Sequence, residues 1–123
     1  PTPGVGFGLG LERLILVMEK NGLFPEKKSD CTLYIANIGE EADFAAQKLA
    51  GELRSEGIAC EKDLAGRSFK AQMKYADKLN AKYLIVLGDD EIKSGTANLK
   101  NMETGEQKSV ALCELCTLLK EEI

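Results

Sequence analysis

YLIVLGDDEIKSGTANLKNMETGEQKSVAL, residues 83–112, decides the fold. Residues 83–88 are apolar throughout, which suits a parallel strand covered on both faces. Residues 96–101 then alternate: Thr96, Asn98 and Lys100 share one side, Ala97 and Leu99 the other. Thr104 and Gly105 supply a hairpin turn, and residues 107–112 return. A buried strand followed by a half-exposed hairpin means a sheet that is parallel at its centre and antiparallel at one edge.

Upstream the pattern is regular. Residues 31–37 read as a strand, and 40–56 as a helix ended by Gly57 in a left-handed cap. Residues 58–63 alternate Ile58 and Cys60 with polar side chains, as a partly exposed strand does. Ser68 can cap a helix running through Leu79, whose inner face would be Phe69, Met73, Ala76 and Leu79. A last helix begins near Leu112, with Leu112, Leu115, Leu118 and Leu119 on one side. The expected fold is α/β: a three-layer domain with a mixed five-stranded sheet and three helices, in the order β-α-β-α-β-β-β-α.

The first residues do not belong to that repeat. Residues 1–10, PTPGVGFGLG, are glycine-rich, and 11–20, LERLILVMEK, place Leu11, Leu14, Ile15 and Met18 at helical spacing. Leu16 and Val17 add apolar surface on other sides, so this helix calls for neighbours that the next stretch, NGLFPEKKSD, is too linker-like to supply. The expectation is a fragment: residues 1–20 as the end of a larger domain, with strand and helix, 21–30 as a linker, and 31–123 as one complete domain.

Composition narrows the function classes. Hydrophobic residues make up 44% and charged residues 29%, a globular balance. No apolar run approaches the roughly 20 residues that span a bilayer, and no signal peptide is visible, so the expectation is a cytoplasmic protein without membrane contact. The absence of histidine removes Ser-His and Cys-His triads from this chain. Cys113 and Cys116 have the spacing of a redox pair, whereas two reduced packing thiols are the ordinary cytosolic outcome. No metal site is expected. The net charge of −4 conceals a local excess of base: Lys62, Arg67, Lys70, Lys74, Lys78 and Lys82 lie within residues 61–82 against three acids.

In open α/β sheets, ligands collect at the carboxyl ends of the parallel strands. Those ends bring Asn37, Arg67 and Glu91 into play. Lys70, Lys74 and Lys78 follow at i, i+4 and i+8 as one basic stripe, with Asn98 and Lys100 on the polar strand face. Such a set can hold single-stranded RNA, with lysines on phosphates, Phe69 or Arg67 stacked on a base, and Glu91 accepting from the N–H edge of guanine. Against it, lysines at i, i+4 also make an ordinary solvated face, and Phe69 fits the apolar core stripe.

GVGFGLGLERL, residues 4–14, misses the dinucleotide fingerprint because leucine stands at both candidate third-glycine positions, 9 and 11. It resembles motif 3 of the class II aminoacyl-tRNA synthetases, and GFGLGLERL is similar to the histidyl form. The stretch LAGRSFKAQMKYADKLNAKYLIVLGDDEIKSGTANLKNMETGEQ resembles the C-terminal anticodon-binding domain shared by the histidyl, glycyl, threonyl and prolyl enzymes. The resemblance implies that Arg13 contacts the ATP γ-phosphate and that Gly8 and Gly10 line the adenylate site. It implies further that Glu91 and Lys100 contact anticodon bases, and that Arg67 and Phe69 lie in a loop–helix region touching the anticodon.

The reading is thus an anticodon-binding region of a histidyl enzyme, recognising the tRNA(His) anticodon stem-loop through Glu91, Lys100, Arg67, Phe69, Lys70, Lys74, Asn37 and Asn98. The resemblance implies a homodimeric parent that ligates histidine to tRNA with ATP and Mg²⁺. Motifs 1 and 2 are not found here, so this chain, without its catalytic domain, is expected to be silent and to bind no cofactor. The alternatives are a threonyl, prolyl or glycyl relative, a stand-alone tRNA-binding protein derived from one, or a thiol oxidoreductase using Cys113 and Cys116.

Overall fold

A computed structural model describes residues 1–24 and 31–122. Its elements are α1 (Leu11–Lys20), β1 (Leu33–Asn37), α2 (Glu40–Ser55), β2 (Cys60–Lys62), α3 (Phe69–Lys78), β3 (Tyr83–Leu87), α4 (Asp89–Ser94), β4 (Thr96–Asn101), β5 (Gln107–Ala111) and α5 (Leu115–Glu122). The sheet runs β2-β1-β3-β4-β5, parallel among the first three strands and antiparallel from β3 to β5. The mixed five-stranded sheet therefore forms as the alternation dictates.

Strand parity divides the core. Leu33, Ile35, Ile85, Leu87 and Leu99 face α2 and α5, where Leu53, Leu115 and Leu119 complete one cluster. Tyr34, Ala36 and Leu84 face the opposite way, against Ala76 of α3 with Met73, Tyr75 and Leu79 around it. Each fully buried leucine contributes about 1.5–3 kcal/mol of transfer free energy. Helices on both faces give the three layers.

Local signals account for most boundaries. Ser68 Oγ accepts the Ala71 N–H at 3.4 Å and starts α3. Gly57 sits at φ 82°, past the end of α2, where a side chain would be strained. At the turn, Gly105 sits at φ 77°.

Four expectations need correction. Residues 1–10 carry no strand, because no neighbouring strand pairs with them; only the helical half of the expected strand-and-helix segment is present. The last helix starts at Leu115 rather than near Leu112, since residues 112–114 form a turn. An unforeseen fourth helix, α4, follows β3, its first turn formed by Asp89, Asp90 and Glu91 and its end by Gly95 at φ 71°. Lys62 leaves the basic face: its ammonium is buried and pairs with Asp43. Of the stretch 21–30 expected to be a linker, residues 25–30 lie outside the described residues, as does Ile123.

Candidate nucleic-acid interface

The sheet face under α3 is only half covered. α3 packs over β1 and β3, while the β4–β5 hairpin runs past it and leaves Thr96, Asn98, Gln107 and Ser109 exposed and Lys100 half-buried. Register sets Lys100 beside Leu84 on one flank and beside Gln107 on the other. The space between helix and hairpin is a groove of about 330 Å³. Phe69, Met73, Leu84 and Val86 form its apolar wall, and Glu91, Asn98, Lys100 and Gln107 supply its polar groups. An apolar wall facing donors and acceptors suits a flat heterocycle with a hydrogen-bonding edge, as an unstacked nucleobase has.

Glu91 reaches this groove from α4. Its Oε2 accepts the backbone N–H of Gly88 at 3.0 Å, so the side chain closes the start of its own helix while lining the groove. Asn98 and Glu91 also line a neighbouring crevice of about 240 Å³ with Thr96 and Ser109.

Phe69 is 43% exposed and does not join the core stripe. Gln72 takes the inward position instead, fully buried, its amide bridging two elements. Its Oε1 accepts the Asn37 N–H at 3.1 Å, and its Nε2 donates to the carbonyls of Asn37 and Arg67, each at 2.9 Å. Phe69 is thereby left on the surface as a wall shared by the groove and a second crevice of about 400 Å³ at the ends of β1 and β2.

Asn37 and Arg67 line that second crevice, and both are engaged within the protein. The Asn37 side chain is buried and donates from Nδ2 to Asp43 Oδ1 at 3.2 Å. Arg67 donates its backbone N–H to Asp63 Oδ2 at 2.7 Å and its Nε–H to Asp63 Oδ1 at 2.9 Å. Its guanidinium lies 4.4 Å above the Tyr75 ring, so one of its two stacking faces is already used. Tyr75 in turn meets Tyr34 edge-on at 6.1 Å. The Tyr34 hydroxyl is pushed up to about 12, first by burial and then by the Asp63 carboxylate. Asp63 stands at a strand end, but its burial was not legible in the sequence, because it depends on the loop that folds Arg67 back onto it.

Lys70, Lys74 and Lys78 are exposed, as the stripe requires. Helical geometry sets Lys70 and Lys74 about 100° around α3 from Phe69 and Met73. They flank the groove from the solvent side and do not line it. Met73, Leu84, Val86 and Gln107 line the groove without having been singled out in the sequence. Parity with Leu84 identifies Val86, and the turn register that pairs Gln107 with Lys100 identifies Gln107.

Outside this cluster, Gly8, Gly10 and Arg13 are all exposed. Cys113 is exposed just before α5 and so is not a packing thiol; Cys116 packs partly against the core. Among the described residues no group of three or more Cys, Asp or Glu side chains could hold a metal ion, and no helix is long and apolar enough to cross a membrane.

Residues 32–122 match the family model described as an anticodon binding domain. The chain is 61% identical over 121 residues to a histidine–tRNA ligase of Acetivibrio thermocellus, covering 98% of this chain and 29% of that protein. Identity to the histidine–tRNA ligase of Clostridioides difficile is 49%, with coverage of 98% and 29%. The chain thus spans under a third of these relatives' length. Among solved structures, apo S. aureus histidyl-tRNA synthetase superposes with a TM-score of 0.74 at 40% identity, covering 89% of this chain and 28% of that one. Histidyl-tRNA synthetase from Nostoc sp. PCC 7120 gives 0.70 at 27% identity, covering 93% and 28%.

Proposed function

The chain belongs to the anticodon-binding domain family, and from that premise we propose that it binds the anticodon stem-loop of tRNA(His) as the RNA-reading part of a histidine–tRNA ligase. The carrying observation is the groove between α3 and the hairpin, which gathers Phe69, Glu91, Asn98 and Lys100 around a space that suits a base. In this reading Phe69 stacks on an unpaired base, and Glu91 and Asn98 take its polar edge. Lys100 meets the adjoining backbone or a base acceptor, and Lys70 and Lys74 meet phosphates at the rim. Arg67 presents its remaining face and edge beside Phe69, while Asn37 holds the crevice floor to α3.

The histidyl assignment is supported by relatives of that name matching 98% of this chain, a span that reaches well beyond the anticodon-domain match of residues 32–122. Residues 1–20 are assigned to the end of a catalytic domain, 21–30 to a linker and 31–123 to the anticodon domain. Ligation of histidine to tRNA, homodimerisation and a cytoplasmic setting are proposed for the longer protein. ATP with Mg²⁺ is assigned to that protein as well. The residues present here do not make up such a site: Gly8, Gly10 and Arg13 are exposed, and one guanidinium is too little for a triphosphate.

Selection from bulk tRNA tests the reading. The immobilised chain should retain tRNA(His) several-fold above its input share. Uniform retention of all tRNAs, or enrichment of a threonine, proline or glycine acceptor, overturns the assignment.

A further inference from the structure

The Glu91 carboxylate is anchored before any ligand arrives. One oxygen, Oε2, accepts the Gly88 N–H at 3.0 Å, and among the described residues no hydrogen bond engages Oε1. The anchor has a steric condition. A Cβ built on Gly88 would lie 2.9 Å from Glu91 Oε2, closer than real contacts allow. Backbone conformation is not the reason for glycine here. Gly88 has φ −124° and ψ −173°, an extended geometry open to any residue. The missing side chain serves the carboxylate that rests where it would be.

We infer that Gly88 is a positioning residue for base selection: its bare N–H and missing Cβ lock one Glu91 oxygen and leave the other as a fixed acceptor at the groove. This rests on the reading of Glu91 as a base contact. A glutamate free in solution samples many rotamers, and holding one oxygen on a backbone donor removes most of that freedom before binding. A fixed acceptor favours a base edge that presents N–H and penalises one that presents a carbonyl or bare ring nitrogen, which leaves a charged oxygen unpaired.

The test uses the full chain and anticodon stem-loops that differ by one loop base at a time, with affinities read by fluorescence anisotropy. Glu91→Ala should shrink the ratio between the preferred and the least favoured loop by about tenfold, the scale of one hydrogen bond to a charged group. Gly88→Ala, whose Cβ displaces the carboxylate and not the backbone, should shrink it to within about threefold of Glu91→Ala, with the salt dependence unchanged. The double variant should be no worse than Glu91→Ala alone, since both remove one acceptor. Glu91→Gln keeps a carbonyl oxygen for the Gly88 N–H and so holds the fold, but puts an amide donor where the free oxygen stood; the preferred base should change.

Gly88→Ala with full discrimination, while Glu91→Ala loses it, sinks the positioning role and leaves RNA reading intact. Additive losses in the double variant sink it too, as does an unchanged preference in Glu91→Gln. If Glu91→Ala itself discriminates normally, the reading of Glu91 fails and takes this inference with it.

Discussion

Single residues of this protein do two things at once, and the cysteines show how far burial separates like side chains. Burial raises the Cys31 thiol from 9.0 to about 11, and it raises Cys60 as well, while Cys113 is exposed. A thiol reagent at neutral pH should therefore modify Cys113 first, and Cys31 and Cys60 only on unfolding; mass spectrometry of partly labelled protein checks the order. The same shift sets a stability window. Below about pH 9 the thiol is protonated in both states, so its contribution is fully present. Between 9 and about 11 the unfolded chain ionises and the folded one does not, so the urea midpoint should fall across that interval and level off above it. Replacing Cys31 with alanine should flatten the fall, and a slope as steep as the parent's would show that other groups cause it.

At the scale of elements, α3 carries the sharpest disagreement between pattern and structure. Periodicity places Phe69 on the inner face, yet Gln72 is the buried residue, because its amide completes backbone bonds to Asn37 and Arg67 that an apolar side chain cannot make. That role depends on Asn37, 35 positions away, so no local window reveals it. The five strands and the three longer helices of the domain were legible because alternation and period report which side faces a core. The short α4 was not, although Asp89-Asp90-Glu91 after Gly88 is a helix-start signal in its own right. The candidate site was legible in part: Glu91, Asn98, Lys100 and Phe69 converge, while the lysine stripe lies beside the groove. Its solvent-side position makes a prediction. Lys70→Ala should lower the salt-dependence slope of stem-loop binding by about 0.7, the value of one single-strand phosphate contact, and weaken all loops alike. Lys78→Ala, a further turn from Phe69, should leave the slope at its parental value. Equal slopes in both variants and the parent would make the whole stripe a solvated face.

For the molecule as a whole, the governing fact is that its apolar surface is unevenly placed. The α/β domain buries most of its leucines on the two sides of the sheet, whereas α1 buries none of its residues. Leu11, Leu16 and Val17 are each more than half exposed, and Leu14 and Ile15 are about 40% exposed. So much apolar surface on one ten-residue helix is more than isolated surface leucines account for. Two consequences separate cleanly. Because α1 contributes nothing to either core cluster, removing residues 1–24 should leave the melting temperature of the remainder within about 2 °C, well under the 4–8 °C that a 1 kcal/mol loss would produce in a domain of this size. Because its face is apolar and uncovered, the full chain should associate as concentration rises, and Leu14→Glu with Ile15→Lys should restore a single monomeric species in sedimentation velocity. A full chain that stays monomeric at high concentration would mean that α1 covers its leucines within its own chain, and the truncation would then lower the melting temperature instead.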